Sequence, residues 1–426
     1  MSIYGGPDIK TDGLVLRLDA ANNKSFPGTG SSWKDLSGNN RNFTLVNSPT
    51  FSSVRRGKFI LNGTNEYFSL SQPIVASKNE FTWQGFVKFH RMQPIRANPY
   101  YQLYIEETQL WIAQYDNAVG IDLRQADNNT WFDGAGGYGT GSQIGKNLIC
   151  RNTWYHFAWT FNRYGNGGTS GQVKGYLNGD LVVTKNTGRT GAIINNGYNP
   201  MIGYRDANSY FAGEMASISV YNRQLPDQEI KDNYNALRGR FAEDLSDYEN
   251  VTYATNNSST IYISNNGGKN VDMFKVGGTN SWDRQFYSTT GYTAPCTIEC
   301  RKEAGSTNNG VSYAMIGWNV DPTTNASYAS IDYAAYPHRG DLYYLYNNGT
   351  GINTGVSWDT NEKIYIVYNT DGTLKHYNGS VLKYSVNYGT GKTVYVDTSL
   401  YSNHNIYGGF ASVRVRKQAW NGTAYV

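Results

Sequence analysis

A hairpin written twice constrains this chain more than any other stretch. The first copy opens at Trp154 with W-Y-H-F-A-W-T-F-N, turns through glycines, returns through Lys174-Gly175-Tyr176 and ends on Asn178-Gly179 and a short apolar strand. The second opens at Trp358 with W-D-T-N-E-K-I-Y-I-V-Y, returns through Lys375-His376-Tyr377 and ends on Asn378-Gly379. Phe157, Trp159 and Phe161 alternate in the first strand, and Ile364, Ile366 and Tyr368 in its echo; that is the period of a strand with one buried face. Both Asn-Gly pairs read as type I′ turns, whose two central residues need φ > 0. A second echo follows: A-S-I-S-V at 216–220 and A-S-V-R-V at 411–415, preceded by Gly213 and Gly409. Two matched features in one order point to one fold used twice. The competing reading is that unrelated hairpins reuse Asn-Gly turns.

Composition fits strands. The chain holds 36 Tyr, 16 Phe and 10 Trp, enough large side chains for sandwich-sized cores. Charged residues are only 16%, while Gly, Asn, Ser and Thr abound, which favours strands and turns over helices. A net charge of +4 without a basic run gives no electrostatic footprint for nucleic acid. No apolar stretch is long enough for a membrane-spanning helix. Of the three cysteines, Cys296 and Cys300 flank one predicted strand, too far apart along it to bridge, and no zinc-ligand cluster accompanies them.

In chain order, L-V-L-R-L-D-A at 14–20 reads as a strand, and Trp33 as a loop anchor on the sandwich edge. Residues 59–68 and 81–89 read as further strands. Residues 90–150, with short patterns at 101–105 and 110–114 and a Gly-rich run at 133–142, read as an extended functional loop. Pro226 to Leu237 is the one predicted helix, with Pro226 in its first turn and Asp227 and Glu229 at its positive end. Short strands separated by Gly/Asn turns recur from Val251 onward, as in a second sandwich. The tail A-W-N-G-T-A-Y-V reads as an edge strand or a contact arm.

The succession L-V-L-R-L-D-A-A-N, S-W-K-D-L-S-G-N-N, F-I-L-N-G-T-N-E-Y, F-T-W-Q-G-F-V-K-F, W-Y-H-F-A-W-T-F and G-E-M-A-S-I-S-V-Y-N-R-Q-L-P-D-Q-E-I, over about residues 12–238, resembles the laminin-G-like, concanavalin A-like jelly roll. The opening Y-G-G-P-D-I with D-L-S-G-N-N resembles the version found in virion structural proteins of tailed phages, especially those of marine bacteria and cyanobacteria. The resemblance implies two packed antiparallel sheets, often glycan or protein binding, and sometimes a rim calcium ion. Such an ion, held by one Asp and carbonyls, leaves little sequence trace and stays open. No other cofactor is implied.

Catalytic signals are sparse. Glucanases of this jelly roll place paired acids two to four residues apart on one strand. No such cluster occurs, and Glu299 and Glu303 straddle a strand end. No nucleophile elbow accompanies His156, which reads as structural. Arg339-Gly340-Asp341 reads as a chance turn, and sequons such as Asn62-Gly63-Thr64 follow from composition. The densest aromatics, Tyr333, Tyr336, His338, Tyr343, Tyr344 and Tyr346, are the candidate ligand residues, because tyrosine offers a flat apolar face with a polar edge; core packing is the alternative for each.

The expectation is an all-β chain of two tandem antiparallel jelly-roll sandwiches, with one short helix closing the first. Its divisions are a lead over 1–12, a sandwich over 13–238, a linker over 239–250 and a second sandwich over 251–426. The expected role is a non-enzymatic phage virion surface protein, a capsid decoration or fibre-like component. Its expected partners are other virion proteins and a host-surface glycan, with self-association open and neither nucleic acid nor membrane. The lead is expected to anchor on a neighbouring subunit. A free carbohydrate-binding lectin module is the second reading, and a glycoside hydrolase of the same fold the third. The first thirteen residues carry no apolar signal-peptide core, which suits a particle protein made in the host cytoplasm and released on lysis.

Overall fold

A computed structural model describes residues 8–54, 57–90, 101–106, 110–115, 118–132, 143–144, 149, 153–194, 199–205, 209–241, 245–256, 261–265, 268–275, 278–302, 313–337, 342–359, 362–401 and 409–426. The chain divides into two compact units, Met1–Glu243 and Asp244–Val426.

The strands of the first unit are β1 (Leu14–Asp19), β2 (Ser32–Trp33), β3 (Phe43–Val46), β4 (Thr50–Ser52), β5 (Lys58–Asn62), β6 (Tyr67–Ser69), β7 (Glu80–Phe89), β8 (Tyr101–Ile105), β9 (Leu110–Tyr115), β10 (Ala118–Gln125), β11 (Asn128–Phe132), β12 (Gln143–Ile144), β13 (Trp154–Asn162), β14 (Gln172–Leu177), β15 (Asp180–Asn186), β16 (Met201–Ile202) and β17 (Ala212–Tyr221); helix α1 (Asp227–Arg238) follows. One sheet runs β15-β14-β13-β7-β17-β5-β4, with β1 also on β17, and the other runs β11-β10-β9-β8-β16-β6-β3-β2, with β12 on β10.

The second unit contains β18 (Tyr253–Thr255), β19 (Ile261–Asn265), β20 (Val271–Lys275), β21 (Phe286–Ser288), β22 (Cys296–Arg301), β23 (Ala314–Asn319), β24 (Tyr333–Pro337), β25 (Leu342–Asn347), β26 (Thr350–Ser357), β27 (Ile364–Tyr368), β28 (Thr373–Asn378), β29 (Val381–Asn387), β30 (Tyr395–Leu400) and β31 (Gly409–Arg416). Its sheets run β29-β28-β27-β22-β31-β20-β19 and β26-β25-β24-β23-β30-β21-β18. Each follows a first-unit sheet in chain order, β1, β2 and β12 alone lacking a counterpart: β27, β28 and β29 take the places of β13, β14 and β15, and β30 that of β16. The echo of one hairpin is an echo of a whole topology. The fold is a pair of antiparallel concanavalin A-like jelly rolls.

The alternation that marks the hairpin also fills the cores. Phe157, Trp159 and Phe161 are buried beside Trp83 and Phe81, and Ile364, Ile366 and Tyr368 beside Ile298 and Trp318. Each such side chain contributes roughly 2 kcal/mol by leaving water. The outer face of the β7/β13 sheet carries Phe86 and Trp154, which α1 and Phe241 cover; Phe86 and Phe241 stack at 4.3 Å. In the second unit the tail covers the matching sheet: Trp420 stacks on Tyr365 at 4.4 Å and 12°. Ala419 and Val426 exchange backbone hydrogen bonds of 3.0 and 2.8 Å. The tail is therefore a clasp on the sheet face rather than an edge strand.

Several expectations change. Trp33 is fully buried against Phe59 and Phe68, at 4.8 and 5.0 Å, so it belongs to the core and not to a rim loop. The expected long loop over 90–150 contains strands β8 to β12 of the second sheet, with Val119, Ile121 and Leu123 buried at period two; the Gly-rich run at 133–142 lies outside the described residues. The second hairpin turns one residue later than expected. Asn178 and Gly179 both have positive φ (52° and 81°), as a type I′ turn requires, but of Asn378 and Gly379 only Gly379 does (60°). Asn378 stays in β28, where its carboxamide accepts from the Asp359 N–H at 2.6 Å and donates to the Asp359 and Lys363 carbonyls at 3.1 and 3.3 Å. Pro226 caps α1 from outside rather than sitting in its first turn. Residues 8–12 of the lead bind their own unit. Ile9 is buried, the Lys10 N–H donates to Asn233 at 2.8 Å, and Asp12 pairs with Arg223 at 2.9 Å.

Candidate ligand site on the second unit

Antiparallel pairing of β24 with β25 sets Tyr336 opposite Tyr344 and Ala334 opposite Tyr346. The pleat sends these four to the outer face and turns Ala335, Tyr343 and Leu345 into the core. Tyr336, Tyr344 and Tyr346 thus form one surface, with ring centroids 6.2 Å (336–344) and 5.6 Å (336–346) apart. Tyr343 is fully buried, its hydroxyl 3.3 Å from His376 Nδ1, which removes it from any ligand surface. Tyr333 faces inward too, edge-on to Tyr388 at 5.2 Å and accepting from Asn347 Nδ2 at 3.3 Å. His338 and the Arg339-Gly340-Asp341 turn lie outside the described residues.

Loops complete the surface with aromatics remote in sequence. Trp282 meets Tyr328, Tyr401 and Tyr336 at 5.1, 5.3 and 5.8 Å, and Tyr328 meets Tyr346 at 5.3 Å. Tyr313 lies 5.5 Å from Tyr401. Tyr336 is nearly buried as the floor, and the others are half-buried around it. Burial raises the phenols of Tyr336 and Tyr346 above their ordinary range, so both are neutral donors and acceptors at pH 7.

Two buried polar networks hold these loops. The Lys275 ammonium, with no exposed surface, shares its three N–H groups among four acceptors, the carbonyls of Thr279 (2.7 Å), Ser281 (2.9 Å) and Tyr401 (3.1 Å) and Asp283 Oδ1 (2.6 Å). A buried cation is tolerated only when so satisfied, and here it joins the loop bearing Trp282 to Tyr401. The second network is centred on Asp397, which accepts from Gln285 Nε2 and Asn319 Nδ2, each at 2.8 Å. Gln285 also donates to the Pro322 carbonyl at 2.7 Å, and Ser399 to that of Ala326 at 2.8 Å. Together they pin the loop that leads into Tyr328. Burial lifts the Asp397 carboxyl to about 7, against the two amide donors that favour its charged form.

Glu299 has a structural occupation. It is buried on β22, 2.5 Å from Lys363 Nζ and 3.4 Å from Arg414 Nη1, and accepts from the hydroxyls of Tyr248 and Tyr425, each at 2.7 Å. Burial alone would raise its carboxyl, but Lys363 and Arg414 hold it below the ordinary range. Glu303 lies outside the described residues. Burial pushes His156 down to about 3, and the same holds for His376, so both are neutral core histidines. Among the described residues Cys296 and Cys300 are free buried thiols, and no group of three His, Cys, Asp or Glu side chains is placed to hold a metal. A groove of about 560 Å³ lies elsewhere on this unit, between Trp358, Asp359, Glu362, Asn378 and Ser380.

The fold is of the concanavalin A-like class, and its second unit carries an aromatic face. Residues 62–231 match the family model of the concanavalin A-like lectin/glucanases superfamily, laminin-G type. No curated protein matches the chain in sequence. Solved structures with a distant likeness include the binding domain of Paraclostridial Mosquitocidal Protein 1 (14% identity, TM-score 0.43, 97% of this chain and 99% of that one). Another is the binding domain of botulinum neurotoxin DC in complex with SialylT (12%, 0.43, 95% and 99%). A third is domain 4 of AbnA, an extracellular arabinanase of Geobacillus stearothermophilus, in complex with arabinotriose (15%, 0.39, 52% and 98%).

Proposed function

We propose that this protein is a non-enzymatic glycan-binding protein of a virion surface, which presents the aromatic face of its second unit to a host-surface glycan. The observation that carries the reading is the gathering of Trp282, Tyr328, Tyr336, Tyr344, Tyr346 and Tyr401 on one sheet face. Pyranose rings have apolar C–H faces that pack on aromatic rings, while neutral phenols bond the hydroxyls at their edges. The non-enzymatic part draws support from Glu299, whose carboxylate is committed to two cations and two phenols. The virion part, with other particle proteins as partners, draws on the phage-like opening of the sequence. Mass spectrometry of purified particles tests the location: the protein should co-purify with them at constant stoichiometry. Its recovery only from particle-free medium would favour a free lectin module with the same site. Assay against soluble polysaccharides should release no reducing ends, and turnover lost on Glu362→Gln would favour a hydrolase working in the groove at Trp358.

A further inference from the structure

We infer that the first unit carries a second glycan-binding site, built on Tyr67, Tyr204 and Tyr210. The inference rests on the glycan reading only for the class of ligand, since no residue is shared.

The three rings form a half-buried cluster. Tyr204 lies 4.5 Å from Tyr67 and 4.7 Å from Tyr210, at interplanar angles of 30° and 31°. Tyr67 is on β6, where its neighbour Phe68 enters the core, so the pleat sends Tyr67 outward. Tyr204 and Tyr210 lie in the connection between β16 and β17, next to Gly203 and Phe211. Gly203 has φ of +85°, a left-handed angle that favours glycine, and a Cβ there would stand 2.6 Å from Leu61 Cδ2. The Phe211 N–H closes the neck onto the Gly203 carbonyl at 2.9 Å. A partly exposed aromatic cluster flanked by a closed neck and a glycine in the left-handed region has a shape maintained at a conformational cost.

What surrounds it fits a sugar better than an apolar partner. The adjacent turn is rich in carboxamides: Asn62 donates to Asn65 Oδ1 at 2.9 Å, Asn47 donates to the Asn65 carbonyl at 2.7 Å, and Glu66 accepts from the Asn62 N–H at 2.7 Å. All of these are exposed contacts. Flat rings beside fixed amide and carboxylate groups match a ligand with apolar faces and hydroxyl edges. The position also corresponds between units. β16 and β30 are matching strands, and Tyr204 and Tyr401 follow them by two residues and by one. The same exit of the same sheet thus feeds an aromatic cluster in each unit, which makes the chain bivalent for glycan.

The test is affinity electrophoresis of the full chain in gels containing laminarin, xyloglucan, galactomannan, xylan or arabinan. Four forms are compared: the parent, Tyr204→Ala/Tyr210→Ala, Trp282→Ala/Tyr344→Ala, and all four substitutions together. Each double variant should weaken retardation about tenfold, as expected for loss of a binding anchor, and the combined variant should migrate as in a blank gel. On the unaltered chain, the retarding polysaccharide should slow nitration of Tyr67, Tyr204 and Tyr210 by tetranitromethane, read by mass spectrometry; this arm holds even if a variant fails to fold. Parent-like retardation of the folded Tyr204/Tyr210 variant, or unprotected tyrosines, overturns the inference while leaving the second-unit reading intact. Loss confined to the Tyr204/Tyr210 variant supports the inference and removes the second-unit reading. Absence of retardation in every gel overturns both.

Discussion

The Lys275 ammonium and the Tyr401 carbonyl oxygen stand 3.1 Å apart, joining the end of β20 to the exit of β30. Lys275→Met keeps the stem and removes the charge, depriving three buried carbonyls of their ammonium and leaving Asp283 paired with Arg284 alone among the cations. The expected cost is about 3 kcal/mol in urea unfolding, together with weaker glycan binding as Trp282 and Tyr401 lose registry. A variant as stable as the parent would mean that the loop is held by its other contacts.

Glu299→Gln should destabilise the second unit by about 3 kcal/mol at pH 7, because Arg414 and Lys363 lose their shared carboxylate. The folded carboxyl titrates below its ordinary value. Its contribution is therefore present above about pH 4.5 and lost as pH falls through the lower folded value. Urea melts at pH 7 and pH 3 should show the gap between parent and variant narrowing in acid; a gap that widens contradicts the assignment.

Asp397 has the opposite sign. Its folded carboxyl, at about 7, lies above the ordinary 3.8. Its contribution is full below the ordinary value and disappears as pH rises through 7. Buried His376, at about 3, runs the other way, being fully favourable above its ordinary 6.5 and lost as pH falls through 3. Comparing the parent with Asp397→Asn isolates the first group. The stability of the variant relative to the parent should rise by roughly 2–3 kcal/mol between pH 5 and pH 8. A difference independent of pH would show that Asp397 is already ionised at pH 5.

Gly203→Ala puts a methyl group into a left-handed turn against Leu61. A cost of roughly 1–3 kcal/mol is expected, with faster nitration of Tyr204 as the loop loosens. An unchanged melting temperature would mean that the turn reshapes at no cost.

The hairpin core was readable from sequence because β13 and β27 are central strands with one face sealed, so alternation survives in Phe157, Trp159 and Phe161. Strands β8 to β11 were harder: Gln102, Asp122 and Gln125 are buried polar residues among apolar ones, which blurs the period. The site was half legible. Residue parity alone separates Tyr344 and Tyr346 from Tyr343 and Leu345, and would have sent Tyr343 to the core. Trp282, Tyr328 and Tyr401 had no such signal. They join through the Lys275 and Asp397 networks, which link residues more than a hundred positions apart. Tyr67, Tyr204 and Tyr210 were missed for the same reason, although Gly203 beside a tyrosine was a local hint.

Host-surface glycan is the ligand proposed for the aromatic face of the second unit. The most direct test is the equilibrium affinity of the full chain for polysaccharide extracted from host envelopes, with the parent compared with Trp282→Ala/Tyr344→Ala. Circular dichroism would verify the fold of the variant. A loss of at least about tenfold, near 1.4 kcal/mol, is predicted. A folded variant that binds with the affinity of the parent would place the glycan site elsewhere than on Trp282 and Tyr344.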